Sequence, residues 1–202
     1  MANILYNGDL PANLDLGKSI AIDTETMGLN TKRDRLCLVQ ISNGDGNAHL
    51  VRFEQGQYAA PNLIKLLGDT SMLKIFHFAR FDLAACAHNL GVMAQNIYCT
   101  RTASKFARTY TDNHGLKALC EELLGLDISK KQQSSYWGNA ELSEKQLDYA
   151  ANDVYHLHKI KAILDERLKR EGRYDLAVKA MEFLPLRAEL DLAGWEDDIF
   201  AH

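Results

Sequence analysis

Short apolar runs of strand length recur through the first hundred residues, and turn or helix signals separate them. Ile20-Ala21-Ile22 is one such run and ends on Asp23. Leu36 to Ile41 is a second, followed by Asn43-Gly44-Asp45-Gly46, a turn between strands. Ala48 to Arg52, Met72 to Phe76 and Ile97-Tyr98 read as further strands. A helix opens at Pro61, which suits a first helical turn, and another covers residues 80–90 with Gly91 beyond its end. The rest of the chain is mostly helical. Thr100 to Thr109 and Leu116 to Leu124 are helix candidates, and residues 125–139 form a polar loop. Ser143-Glu144-Lys145-Gln146 matches a capping box. The helix behind it is expected to run to about Arg170 on the stripe Leu147, Ala150, Val154, Leu157, Ile160, Leu164 and Leu168. This order predicts an α/β or α+β fold with a mixed central sheet flanked by helices, in a single domain over residues 1–202.

A chain of 202 residues can bury a core without disulfide staples. Cys37, Cys86, Cys99 and Cys120 are too far apart for a CxxC pair. We read them as reduced thiols of a cytoplasmic protein. The opening MANILYNGDL lacks the basic start and apolar core of a signal peptide, and no apolar run approaches the roughly 20 residues that span a bilayer. Lys and Arg total 23 against 27 Asp and Glu, a net charge of −4. That balance disfavours holding long duplex nucleic acid by bulk electrostatics. A short nucleic acid held by metals and a few side chains remains open.

Asp23 and Glu25 lie two apart at the end of an extended run, so both point to one face. Two carboxylates converging there repel unless a cation compensates, and hard oxygen donors suit Mg²⁺ or Mn²⁺. A solvated acidic turn is the plainer alternative. Asp82 follows the fourth run in His77-Phe78-Ala79-Arg80-Phe81-Asp82, where an acid at a helix start also favours the dipole. Tyr149 and Asp153 are four apart, on one face of the long helix beside its apolar stripe. Each signal is weak alone.

Together and in order, these residues resemble the three motifs of the DEDDy 3′→5′ exonucleases. IAIDTETMGL at 20–29, HFARFD at 77–82 and LDYAANDV at 147–154 carry the resemblance, with the Tyr-x-x-x-Asp spacing in the last. Gly115 to Leu119, Leu124 to Asp127 and the run Lys131 to Trp137 are similar to the ribonuclease D family. The resemblance covers about residues 18–168 and implies a ribonuclease H-like DEDD fold. Ribonuclease D itself carries helical HRDC domains, for which this chain is too short. Its short format and its ending resemble the nanoRNase C family, ribonuclease D-like enzymes of alphaproteobacteria. That likeness implies hydrolysis of RNA dinucleotides such as pGpG and a ring-like homo-octamer. Trimming of longer RNA 3′ ends or single-stranded DNA is the broader alternative. A catalytically dead binding member would lack one of the carboxylates, and all four are present with the tyrosine.

The resemblance implies that Asp23, Glu25, Asp82 and Asp153 hold two divalent ions about 4 Å apart, Mg²⁺ or Mn²⁺, across the scissile phosphate. Tyr149 then orients the attacking water, and nucleoside 5′-monophosphates leave the 3′ end. Thr24, Met27, Leu29, His77 and Phe78 are the candidate substrate contacts. Leu29 matches the leucine that wedges between the last two bases, or is an ordinary packed residue after Gly28. Met27 packs on a base or fills the core. His77 and Phe78 touch the ribose or base, or His77 is structural. Arg101, Lys105 and Arg108 share a helix face that either holds phosphates or is simply solvated. Lys130 to Gln133 are placed on the substrate's 5′ side. The tail past Arg170 mixes acids with Phe183, Leu186, Trp195, Ile199 and Phe200. We expect it to be buried, with an oligomer contact favoured.

Overall fold

β3 (Leu36–Ser42) is buried at every position, as a central strand covered on both faces must be. The computed structural model describes residues 2–129, 131–132, 134–195, 197 and 199–201. Around β3 stand β1 (Asn3–Asn7), β2 (Ser19–Thr26), β4 (Ala48–Arg52), β5 (Leu73–Phe76) and β6 (Ile97–Cys99), in the order β1-β4-β3-β2-β5-β6. β2, β3 and β4 are antiparallel neighbours, while β1 on β4, β5 on β2 and β6 on β5 are parallel. The sheet is therefore mixed.

One feature of the pairing shapes the molecule. β5 meets β2 only from Ser19 to Ala21, whereas β3 follows β2 through Glu25 and on to Thr26. β2 thus runs past the end of β5 and opens a crevice at the carboxyl ends of both strands. Open α/β sheets bind their ligands in such crevices.

The helices are α1 (Pro61–Gly68), α2 (Ala79–Leu90), α3 (Thr100–Ala107), α4 (Leu116–Leu119), α5 (Glu144–Tyr155), α6 (Leu157–Arg170), α7 (Tyr174–Glu182) and α8 (Leu184–Ala193). The helix expected over Leu116 to Leu124 is a short α4 continued by a π-helical turn, Cys120–Leu124. Ser143 caps α5 through both bonds of the capping box. The single helix expected to Arg170 is two helices. They break at His156, with neither proline nor glycine at the break, and their partners differ: α5 lies on β2, β3 and β4, whereas α6 packs mainly on α3. Six of the seven stripe residues are buried, and Leu147 is partly so. α7 and α8 bury Ala177, Met181 and Ala188, and α8 packs along α2. Asp191 of α8 accepts two 2.6 Å bonds from Arg80 of α2 and one from Arg187. Leu186, Trp195, Ile199 and Phe200 remain exposed on this chain. All four cysteines are buried and unbridged. Among the described residues no helix is long and apolar enough to cross a membrane.

Candidate active site

Strand alternation puts Asp23 and Glu25 on one face of β2, in the stretch that overhangs β5. α5 crosses that face and presents Tyr149 and Asp153 one turn apart. Carboxylate oxygens of Asp23, Glu25 and Asp153 come within 4.8 Å of one another. Asp82 enters from the first turn of α2 and is buried. The Thr24 hydroxyl donates a 2.6 Å hydrogen bond to Asp82 Oδ1. The result is one cleft of about 570 Å³, lined by all five candidate catalytic residues and all five candidate substrate contacts.

The electrostatics of this cleft are set by buried carboxylates that raise one another's pKa. Burial, then the charges of Asp82, Asp153 and Glu25, holds the Asp23 carboxyl well above the usual range. Glu25 is pushed up to about 9 by burial and then by Asp153 and Asp82. Asp82 is raised to about 7, chiefly by burial, and the Thr24 hydroxyl opposes the shift. A hard divalent cation offsets this repulsion, and a donor set made only of carboxylate oxygens fits Mg²⁺ or Mn²⁺. The Tyr149 phenol is driven further above its ordinary value by burial and by Asp153, to which it donates a hydrogen bond. Its ring stands 6.1 Å from that of buried Trp137.

The rim of the cleft is built by two loops. Asp34 accepts the Asn30 N–H at 2.9 Å and the Arg33 side chain, so the loop after β2 closes tightly. A Cβ on Gly28 would stand 2.3 Å from Asp34 Oδ2, which explains a glycine there. The tight loop holds Leu29 outward, 89% exposed. Met27 is half-buried, and Gly138 makes room for its sulfur. After β5, Phe78 adopts φ +74° at the start of α2, a backbone strain that non-glycine residues carry mainly at functional sites. Its ring is 44% exposed, with the Arg101 guanidinium 4.7 Å from its centre. His77 Nδ1 lies 2.9 Å from Thr100 Oγ1. That hydroxyl donates to the Phe76 carbonyl, so Nδ1 is the donor.

Several expectations change. Thr24 is buried, and its hydroxyl serves Asp82. Arg108 belongs neither to a phosphate cradle nor to a solvated face. It is 2% exposed and bonds Glu122 of the π-helical turn, Ser104 and the Asn113 carbonyl. His114 is likewise internal, on Ser104. Of that basic helix face only Arg101 is among the residues lining the cleft, joined there by Lys117 beyond it. Lys130 and Gln133 lie outside the described residues; Ser134, Ser135 and Trp137 of the same loop line the cleft. For Trp137 the family-like run Lys131 to Trp137 is the signal in the sequence.

Residues 9–169 match the 3′-5′ exonuclease domain family. Ribonuclease D of Gluconacetobacter diazotrophicus is 37% identical over 156 residues, 77% of this chain and 39% of that protein. The chain spans about two fifths of the length of such curated relatives. Brucella melitensis NrnC bound to pGG superposes with a TM-score of 0.95 and 57% identity over 98% of both chains. The same protein with bound Mg²⁺ gives 0.94. Escherichia coli ribonuclease D, an exoribonuclease involved in structured RNA processing, gives 0.75 at 25% identity over 85% of this chain and 45% of that one. The fold is the ribonuclease H-like one of these enzymes. With its acids gathered where β2 overruns β5, the chain belongs to the 3′-5′ exonuclease family, on the DEDD branch that holds ribonuclease D and NrnC.

Proposed function

We propose that the chain is a DEDDy-type 3′→5′ exoribonuclease that hydrolyses RNA dinucleotides and very short oligoribonucleotides. The observation that carries this reading is the convergence of Asp23, Glu25, Asp82, Asp153 and Tyr149 on one cleft. The likeness to NrnC bound to pGG over nearly the whole of both chains supports the short substrate. Two divalent ions, Mg²⁺ or Mn²⁺, supply water activation and stabilise the departing 3′-oxygen when bound. Asp23, Glu25, Asp82 and Asp153 hold them. Tyr149, protonated at working pH, orients the attacking water by hydrogen bonding through its hydroxyl. Leu29 and Phe78 offer the exposed apolar surface on which bases pack. Arg101 and Lys117 place positive charge beside the substrate phosphates. Met27 and His77 complete the substrate wall, and the Thr24 hydroxyl steadies Asp82.

We assign residues 1–202 to one catalytic domain in which α8 braces α2. We further propose a homo-octamer whose contacts cover exposed Leu186, Trp195 and Phe200, and a cytoplasmic setting consistent with four unbridged thiols. The mass in solution tests the assembly: deletion of residues 183–202 is expected to dissociate it, and an unchanged mass would remove the tail from the contact.

The substrate reading is tested by turnover of a 5′-phosphorylated RNA dinucleotide beside a seven-residue RNA, with Mg²⁺ or Mn²⁺ and then chelator. We expect strong preference for the dinucleotide and no turnover with chelator. Equal or faster cleavage of the longer RNA would replace this reading with a general trimming exonuclease.

A further inference from the structure

β3 is an apolar strand with two polar side chains, Gln40 and Ser42. Ser42 is accounted for locally, since its hydroxyl donates to the Asn47 carbonyl at 2.7 Å. Gln40 has no such local role. It is fully buried, and it stands opposite Asp23 in the antiparallel register. Its Nε2 donates to Asp23 Oδ2 at 3.4 Å, the long end of a hydrogen bond. Its Oε1 finds no hydrogen-bond partner among the described residues. A buried amide with one orphaned end is costly against an apolar side chain of the same shape. Methionine or leucine would satisfy the strand better, so packing does not explain a glutamine here.

The neighbouring carboxylate does. An amide turned the other way would set its oxygen against Asp23 and repel it. A lysine or arginine at this position would neutralise Asp23 and compete with a bound cation, and an acid would add to the repulsion. A neutral donor fixes the carboxylate's direction without competing with a cation. We propose that Gln40 is a positioning residue for the metal site, its amide N–H holding Asp23 Oδ2 so that the rest of the carboxylate faces Glu25 and Asp153. Partners behind a metal ligand orient it and tune its affinity. The inference rests on the reading of Asp23 as a metal ligand.

The test is Mn²⁺ binding by titration calorimetry to chelator-stripped protein, with thermal unfolding of the same samples. Gln40→Met and Gln40→Leu are expected to weaken Mn²⁺ about tenfold, while the midpoint of unfolding stays level or rises because the orphaned oxygen is gone. Unchanged Mn²⁺ affinity in a folded variant would overturn the proposal, and a lowered midpoint with it would make Gln40 a packing residue only. Asp23→Asn separates the two levels. If it binds Mn²⁺ like the wild type, the metal-ligand reading itself has failed; if it loses Mn²⁺ while both Gln40 variants keep it, only the role of Gln40 has.

Discussion

Asp23→Asn is expected to lower dinucleotide hydrolysis by about a thousandfold, roughly 4 kcal/mol of barrier, and to make the metal-free protein more stable. Both effects have one cause. Asp23 sits among Glu25, Asp82 and Asp153, and burial and these charges raise its pKa. Removing its charge removes a metal ligand and also relieves repulsion in the empty cluster. A gain of 1 kcal/mol would raise the unfolding midpoint of a chain this size by about 2–4 °C. The pH dependence follows with a definite sign. Glu25, lifted to about 9, and Asp82, lifted to about 7, bind protons more tightly folded than unfolded. The stability these two groups contribute to the metal-free protein is therefore fully present below the ordinary carboxylate range and falls as pH rises toward 9. Saturating Mn²⁺ should flatten or reverse that fall. Thermal unfolding across this range, with chelator and with Mn²⁺, checks the slope. Wild-type turnover in Asp23→Asn would remove Asp23 from the metal site, and metal-free stability that climbs with pH would remove the repulsion argument.

Local signals account for most of the fold. Five of the six strands, the capping box at Ser143 and the helix after Pro61 follow from apolar runs, turn residues and cap chemistry. β1 does not. Asn3–Asn7 is five residues with polar ends, and it is held by parallel pairing to β4, more than 40 residues away. No local pattern encodes such a long-range pairing. The break at His156 is similar: the stripe continues through it, and only the change of partner from the sheet to α3 requires two axes.

At the site, the acids are readable as an ordered set: Asp23 and Glu25 two apart at a strand end, Asp82 in a helix's first turn, and Asp153 four after Tyr149. What surrounds them was less so. Arg108 looked like one of three cations on a helix face, yet it is buried against Glu122, and no spacing rule distinguishes an inward from an outward arginine. Thr24 lies between two motif acids, and strand alternation turns its side chain away from theirs, where its hydroxyl meets Asp82. Gln40 was invisible inside an apolar run, and only the register of β2 on β3 brings it to Asp23.

Tyr149→Phe is expected to slow hydrolysis about a hundredfold while leaving Mn²⁺ binding intact. The phenol donates to Asp153 and its ring packs by Trp137, so phenylalanine keeps the packing and loses only the hydroxyl. The raised phenol decides between two roles for that hydroxyl. A general base must give up its proton near the operating pH, and burial beside Asp153 moves this phenol further from doing so than its ordinary value near 10. In the reading proposed above it acts in the protonated form, aiming the nucleophilic water. The pH–rate profiles of wild type and Tyr149→Phe should then run parallel between about pH 7 and 9, offset by the hundredfold loss. A rising wild-type limb that vanishes in the variant would make Tyr149 the base. Lost Mn²⁺ binding in the variant would instead trace the defect to Asp153, whose carboxylate the phenol holds.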